Sequence, residues 1–497
     1  MSKICLCLTG TTLAHDLEII EKNRKYVDVA ELRVDCLDPD ERFHIRRFPE
    51  MAGLPVILTI RRESDGGKYR GGEGARISLL AHGLANAFTD PRLNFAYVDL
   101  EDYLNVPALE EAARVFGTKI IRSYHNIHSV DGDIVGKLKS LYHVGDELVK
   151  IAAMANSLSD VLRMYRASQE MVGMNKTLIC MGPFGIPSRI LADRFGSEFS
   201  YTTMAGQFLG ALGQLEPQEL SELYRFRTIS DRTRIFGITG FPLTTTFSPV
   251  FFNTIFKLEN TDAVYVPFPT DDVKTFLDLA EALNVSGASV TIPHKTAIIP
   301  YLGSQSENLQ SIGACNTIIS NPHGWIGTNT DALGFSGSLL NFIEKKNLKG
   351  KRITIVGAGG VAHAVAAEIH RLEARALIVN RTAVKAKELA LPYGFAWDGL
   401  DHRCVEHIKK YADIIIQTTS AGMEPHIDED PLALYQFSGK EVVMDLIYKP
   451  ECTAFLARAA QAGCRTLNGY DMLIRQAQAQ YELFTGKDFP SHLLSRF

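Results

Sequence analysis

Short apolar runs alternate along the whole chain with longer stretches of 3.6-residue periodicity. In the first half the runs fall at 4–8, 29–34, 56–60, 95–100, 119–124, 148–153, 177–181 and 199–203. Each has strand length. The stretches between them, such as Leu79-Leu80 with Leu84 and Val161-Leu162 with Tyr165, carry the spacing of an amphipathic helix. Eight strand–helix repeats predict a (β/α)8 TIM barrel. An open doubly wound sheet is the alternative. It more often places a glycine-rich phosphate loop after its first strand, and Gly10-Thr11-Thr12 is a poor one.

In the second half the runs fall at 235–239, 264–268, 288–292, 352–357, 376–380, 413–417 and 442–446, again alternating with helical stretches. The pattern predicts an α/β region with parallel sheets. The polar segment 227–234 separates the halves, with the boundary near Ser230.

Length and charge narrow the class. A chain of 497 residues has room for two or three domains. The formal charge of −5 comes without a long single-sign run, so neither nucleic acid nor an acidic membrane surface is an expected partner. No apolar run approaches the roughly 20 residues of a membrane span. The N-terminal apolar stretch is too short for a secretory signal. The eight cysteines are scattered without metal-ligand spacing, and no metal is expected. They read as reduced packing thiols of a cytoplasmic protein.

Candidate chemistry gathers where a barrel would put it, at the C-terminal ends of the strands. Glu31, Arg33, Arg61, Glu101, Asp102, His125, Lys150 and Arg189 all fall there. Lys150 stands inside an apolar strand. Desolvation lowers a lysine's pKa, which frees the amine to attack a carbonyl and form an imine. A buried ion pair with Glu101 or Glu31 is the structural alternative. In the second half, Gly357-Ala358-Gly359-Gly360-Val361-Ala362 follows a strand and opens a helical pattern, as a pyrophosphate-binding loop does. The next strand ends in Asn380-Arg381-Thr382, with Lys385 close behind. An acid there would favour NAD. An arginine without the acid pairs with a 2′-phosphate and favours NADP.

Seven ordered motifs make the first half resemble the type I 3-dehydroquinate dehydratases. They are Glu31-Leu32-Arg33, Thr59-Ile60-Arg61 with its glycine-rich sequel, Asp99-Leu100-Glu101, Ser123-Tyr124-His125, Lys150-Ile151-Ala152, Ser188-Arg189 and Gly213-Gln214. The resemblance implies that Lys150 forms a Schiff base with a ring ketone and that His125 shuttles the proton, oriented by Glu101. It implies that Arg189 binds the carboxylate, and that Glu31, Arg33, Arg61 and Gln214 hold the hydroxyls and the ketone region. One departure is Gly210, where the family usually carries a serine that would touch substrate.

The second half resembles shikimate dehydrogenase. The motifs are Gly240-Phe241-Pro242 running to Thr246-Phe247-Ser248-Pro249, Val290 to Lys295, Ala314-Cys315-Asn316-Thr317 and Gly327 to Asp331. Further on come Thr419 to Met423, Asp445 with Tyr448 and Pro450, and Gly469 with Met472, Leu473, Gln476 and Ala477. The resemblance implies a catalytic pair, Lys295 and Asp331. It implies that Thr246, Ser248, Thr291, Asn316, Tyr448 and Gln476 bind the substrate. It implies an NADP site from Gly357, Ala358, Gly359, Gly360, Val361, Asn380, Arg381, Thr382, Lys385, Thr419, Met423 and Gly469. Gln417 replaces the family's usual asparagine, a change expected to loosen the loop that follows it.

The expected organisation is a dehydratase barrel at 1–229, a substrate-binding lobe at 230–333 completed by the helix 470–497, and a Rossmann lobe at 334–469. The expected activity is dehydration of 3-dehydroquinate and reduction of the product to shikimate with NADPH. A quinate-accepting dehydrogenase and a non-catalytic sensor are the alternatives. Retention of Lys150, Lys295 and Asp331 argues against the sensor. Ser248 and Thr291 keep bulk where quinate would need room.

Overall fold

The computed structural model describes all residues except 88–89, 144–146, 207–212, 244–245 and 497. Gly210 therefore lies outside the described residues. The chain divides into two compact units, Met1–Ile238 with Pro242–Val285, and Thr239–Phe241 with Ser286–Phe497.

The eight apolar runs of the first half are eight strands: β1 Lys3–Leu8, β2 Val29–Arg33, β3 Val56–Thr59, β4 Tyr97–Glu101, β5 Lys119–Asn126, β6 Leu148–Met154, β7 Lys176–Met181 and β8 Phe199–Thr202. They form one sheet in the order β7-β6-β5-β4-β3-β2-β1-β8. The pairs are parallel, as right-handed strand–helix–strand units require. The last seam, β7 to β8, closes by a single parallel bridge between Lys176 and Ser197 rather than a full ladder. Glu198 N–H donates to Lys176 O at 2.8 Å, and Phe199 N–H to Thr177 Oγ1 at 3.2 Å.

Alternation along each strand sorts the barrel interior. Cys5, Cys7, Val29, Ile57, Ile121, Leu148, Ala152, Ile179, Met181, Phe199 and Tyr201 form a buried inner cluster. The ladder pairs Cys7 with Glu31 and Ser123 with Lys150, so the charged residues follow the apolar ones toward the C-terminal ends. Those charges are buried in a low-dielectric wall, and each therefore needs a partner.

The second half contributes two sheets. β9 Arg234–Gly240, β10 Ala263–Pro269, β11 Val285–Val290, β12 Ser304–Gln305, β13 Thr317–Asn321 and β14 Gly324–Thr328 run in the order β10-β9-β11-β13-β14-β12. This sheet is mixed, which corrects the expectation of parallel sheets throughout. β13 is antiparallel to both β11 and β14. A tight hairpin, Asn321-Pro322-His323-Gly324, sets the β13–β14 pair, with Gly324 at a φ of 109° that other residues rarely adopt. The other sheet holds β15 Arg352–Val356, β16 Arg375–Asn380, β17 Ala396–Gly399, β18 Ile414–Gln417, β19 Val442–Asp445 and β20 Arg465–Leu467. It is wholly parallel, in the Rossmann-type order β17-β16-β15-β18-β19-β20. No helix among the described residues is long and apolar enough to cross a membrane.

Two candidate active sites

Lys150 projects from β6 into a cavity of about 80 Å³ inside the barrel, lined also by Glu31, Arg33, Arg61, His125, Arg189, Tyr201 and Gln214. Its Nζ lies 3.0 Å from Asp99 Oδ2 and 3.3 Å from Glu31 Oε1. It also sits 4.2 Å from the centre of the Tyr201 ring. Burial pushes the lysine's pKa down, but Asp99 and Glu31 outweigh it, and the net shift is upward. Burial was expected to free the amine. Two carboxylates instead hold it as an ammonium, so both sequence alternatives contain part of the truth: Lys150 is cavity-facing and ion-paired.

Glu31 is fixed on three sides. It takes the Lys150 charge, a hydrogen bond from Thr59 Oγ1 at 3.0 Å and one from Cys7 Sγ at 3.3 Å. Arg33 makes a two-pronged pair with Asp35, at 2.9 and 2.8 Å. Asp35 also caps the backbone N–H groups of Arg61 and Lys68, at 3.1 and 2.9 Å. Arg189 donates to Tyr201 O at 3.2 Å, and burial pulls its pKa down to about 10.

His125 departs from the expected arrangement. Its Nε2 meets Arg61 Nη1, and no hydrogen bond joins it to Glu101. Glu101 is instead paired with Arg61, 3.3 Å, and with the fully buried Arg76, 2.8 Å. Two guanidiniums outcompete a neutral imidazole for a buried carboxylate. Burial, reinforced by the Arg61 and Lys150 charges, drives the His125 pKa well below 6.5. The imidazole is therefore neutral at pH 7, as a general base must be. His125 Nδ1, Gln214 Oε1 and the Tyr201 hydroxyl are buried without a hydrogen-bond partner. Three unpartnered polar atoms at one cavity mark a site shaped for a polar ligand. Tyr201, Cys7 and Asp99 escaped the assignment of site roles. Their alternation along β8, β1 and β4 carried the signal that they face inward.

The second site is built on Lys295, whose Nζ is 2.5 Å from Asp331 Oδ2. Asp331 opens the helix Asp331–Ile343, and Asn316 Nδ2 donates to its other oxygen at 2.8 Å. Asn316 was expected to bind substrate. Its amide is fully engaged within the protein: Nδ2 also reaches Thr330 Oγ1 at 2.9 Å, while Oδ1 accepts from Thr330 N–H at 2.8 Å and Thr317 Oγ1 at 2.7 Å. Nothing is left over for a ligand, so Asn316 braces Asp331. Gln480 extends the brace, donating to Thr317 Oγ1 at 2.8 Å and accepting from Ser289 Oγ at 2.8 Å.

The other expected contacts are more loosely held. Thr330 Oγ1 lies 3.4 Å from Gln476 Oε1. Thr291 and Tyr448 are half-buried. Thr246 Oγ1 accepts from Ser248 N–H at 3.3 Å, at the start of the helix Ser248–Leu258.

The loop Gly357–Gly360 joins β15 to the helix Gly360–Arg371. Gly357 has a φ of 116°, and a Cβ there would stand 2.5 Å from Thr418 Oγ1. Gly359 has no atom within 4 Å of where its Cβ would be, which leaves open approach to the helix N-terminus. Ala358 and Val361 are partly buried against the Rossmann core. Asn380, at the end of β16, donates to Thr382 O at 3.0 Å. Arg381, Thr382 and Lys385 beside it are exposed, and Arg381 and Lys385 have no ion pair among the described residues. Open N–H groups at a helix end, with Arg381 just past the neighbouring strand and Lys385 in the helix that follows, fit a phosphorylated dinucleotide.

Gln417 corrects one expectation. It is fully buried, donates to Thr419 O at 3.1 Å and Ala421 O at 3.0 Å, and accepts from Thr419 N–H. The longer amide ties the Thr419–Met423 turn down rather than loosening it. A Cβ at Gly469 would stand 2.1 Å from Leu446 O, so that glycine serves backbone packing.

Comparison with known proteins gives matches along both halves of the chain. Residues 4–231 match the type I 3-dehydroquinase family, 238–318 the shikimate dehydrogenase substrate binding domain, 340–446 the shikimate / quinate 5-dehydrogenase family, and 469–493 the shikimate 5'-dehydrogenase C-terminal domain. A bifunctional 3-dehydroquinate dehydratase/shikimate dehydrogenase of Arabidopsis thaliana, named as chloroplastic, is 30% identical over 519 residues, covering 99% of this chain and 83% of that protein. A shikimate dehydrogenase (NADP(+)) of Shouchella clausii is 37% identical over 258 residues, 51% of this chain and 94% of that one. A crystal structure of shikimate dehydrogenase from Aquifex aeolicus gives a TM-score of 0.49 at 31% identity, over 54% of this chain and 98% of that one. The chain belongs to the family of bifunctional 3-dehydroquinate dehydratase/shikimate dehydrogenases.

Proposed function

We propose that the chain converts 3-dehydroquinate to 3-dehydroshikimate in its barrel and reduces that ketone to shikimate with NADPH in its second half. The observation that carries the first reaction is Lys150, a buried cavity-facing amine with two carboxylates and a neutral imidazole around it. Lys150 loses its proton and adds to the ketone carbon. Expulsion of water gives a protonated imine, a stronger electron sink than the ketone. His125 removes the proton from the adjacent carbon. The hydroxyl one carbon further on leaves as water, and hydrolysis of the imine returns the free lysine and the enone. Arg189 and Gln214 supply charge and hydrogen bonding to the carboxylate and hydroxyls, while Arg33 and Arg61 carry the positive wall of the cavity. Glu101 positions Arg61.

In the second half NADPH supplies the hydride. Lys295 gives its proton to the ketone oxygen, and Asp331 holds that ammonium in place. Thr246, Ser248, Thr291, Tyr448 and Gln476 are the proposed substrate contacts, with Asn316 acting through Asp331. Gly357–Val361 would hold the pyrophosphate, and Arg381 and Lys385, with Asn380 and Thr382, would hold the 2′-phosphate. Thr419, Met423 and Gly469 complete the cofactor side. The proposed boundaries remain 1–229, 230–333 with 470–497, and 334–469. We infer a cytoplasmic location from the eight free thiols, seven of them buried.

The test is to incubate the protein with 3-dehydroquinate and NADPH and to identify the product. Shikimate, formed after transient 3-dehydroshikimate, supports the reading. Failure to consume 3-dehydroquinate, or accumulation of 3-dehydroshikimate with NADPH untouched, refutes one half each.

A further inference from the structure

Tyr201 lines the barrel cavity, and the proposed chemistry gives it no part. It lies on β8, two residues beyond Phe199 on the same inner face, and is 3% exposed. Its ring covers the Lys150 ammonium, with Nζ 4.2 Å from the ring centre. Its backbone carbonyl accepts from Arg189 at 3.2 Å. The residue lines the cavity, and its hydroxyl is buried with no hydrogen-bond partner.

These facts conflict unless the hydroxyl has work to do. A phenylalanine would stack on the ammonium equally well through the same ring face. Burying an unpaired phenol costs stability that a phenylalanine would not. The hydroxyl is a poor partner for what surrounds it. Glu31 is already taken by Lys150, Thr59 and Cys7, and Asp99 by Lys150, Arg61 and Ser123. Among the described residues the hydroxyl has no hydrogen-bond partner, and its ring is stacked on the nitrogen to which a substrate would be joined.

We propose that Tyr201 is a substrate-contacting residue of the dehydratase site. Its hydroxyl hydrogen-bonds an oxygen of the ring attached to Lys150, while its ring face holds the nitrogen in line for attack. The inference rests on the Schiff-base reading of Lys150. The tyrosine changes no proton inventory: burial, with Glu31 and Cys5 nearby, keeps its pKa well above 10, so it stays a neutral donor throughout. Its contribution is therefore one hydrogen bond made only when substrate is present.

The decisive variant is Tyr201→Phe, which deletes the oxygen and leaves the ring. Dehydratase kcat/KM should fall about tenfold, the size of one lost hydrogen bond to substrate. The melting temperature of the ligand-free protein should hold or rise, because an unpaired buried hydroxyl has been removed. Shikimate oxidation should be unchanged. Borohydride with 3-dehydroquinate, followed by mass mapping, is run on wild type and variant together. An adduct on Lys150 in both shows that the Schiff base survives and that only the hydroxyl is at issue. A kcat/KM within twofold of wild type overturns the proposal. So does a loss of activity matched by a lower melting temperature, which would assign the hydroxyl to folding. No adduct on wild-type Lys150, with dehydration intact, would instead refute the Schiff-base reading. Tyr201→Leu removes the ring as well and should cost more than Tyr201→Phe. Equal losses would overturn the part given to the ring.

Discussion

Gly360 lies against Lys295: a Cβ at position 360 would stand 3.2 Å from Lys295 Cδ and 3.4 Å from its Cβ. The glycine-rich loop and Lys295, the proposed proton donor, thus approach each other at a position where only a glycine leaves room. Gly360→Ala should push the lysine stem aside by a few tenths of an ångström and crowd the helix N-terminus. Small displacements of a catalytic group are costly. Shikimate dehydrogenase kcat/KM should fall about tenfold, while dehydratase activity, measured on the same preparation, stays within twofold. Equal activity of wild type and variant in both assays would mean that the contact has slack.

The pH profile of the dehydratase should report His125. Burial lowers its pKa well below 6.5, and the charges of Arg61 and Lys150 lower it further. The neutral base is therefore present through pH 6.5, and the acid limb of kcat/KM should lie below that value. For stability the sign is the same. The unfolded chain takes up the proton first, so the contribution of neutral His125 is full above pH 6.5 and is lost as pH falls through the folded value. Arg61→Gln removes one of the charges that depress the histidine, and the acid limb should move up toward 6.5. A limb that stays put in the variant would show that burial and Lys150 hold the histidine down without Arg61.

Arg381 should set cofactor choice. It is exposed at the end of β16 with no ion pair among the described residues, and no acid stands beside it. Loss of a guanidinium–phosphate contact costs about 1.5–3 kcal/mol. Arg381→Ala should raise the KM for NADP by about ten- to a hundredfold and leave that for NAD nearly unchanged. Parallel losses for the two cofactors would show that the guanidinium does not read the 2′-phosphate.

The barrel was legible because each of its strands is an isolated apolar run bounded by polar residues, and the run spacing repeats eight times. The same logic failed for β13 and β14. Asn316-Thr317 and Gly327-Thr328 attract attention as motifs, and the hairpin signal between them, Asn321 to Gly324, passes unread. Antiparallel pairing follows from that turn and from nothing in the strands themselves. The candidate site residues could be picked out by type and place, but their partners could not. Lys150, His125, Lys295 and Asp331 stand out by type and place. That Glu101 takes Arg76 from 25 positions upstream, or that Asn316 saturates its amide on Thr330 and Asp331, depends on side-chain reach in three dimensions. Buried charges settle their pairings by competition, and a sequence shows the competitors without the outcome.

Gln417 offers a direct test of a substitution relative to the family. Its amide spans from Thr419 N–H and O to Ala421 O. Gln417→Asn shortens the arm by one methylene, about 1.3–1.5 Å of reach, and cannot hold both carbonyls from the same backbone position. The turn should loosen on the cofactor side. The KM for NADP should rise a few-fold with kcat nearly intact, and amide hydrogen exchange at Thr419 and Ala421 should quicken. Unchanged exchange would mean that the backbone alone holds the turn.

Asn316 gives the sharpest distinction between holding substrate and holding a catalytic group. It is 3% exposed, and both halves of its amide bond to Thr317, Thr330 and Asp331. Asn316→Ala strands a buried backbone N–H and one carboxylate oxygen, at a cost of about 2 kcal/mol in stability. Asp331 keeps Lys295 through its other oxygen but loses the group that fixes its plane. A residue that touched substrate would raise KM when removed. A residue that aims Asp331 should instead lower kcat for shikimate oxidation, by about ten- to a hundredfold, with KM moved less than threefold. The readout is a steady-state titration of shikimate at saturating NADP, alongside a melting curve for each protein. A KM that rises while kcat holds would return Asn316 to the list of substrate ligands, and the saturated amide would have to open on binding.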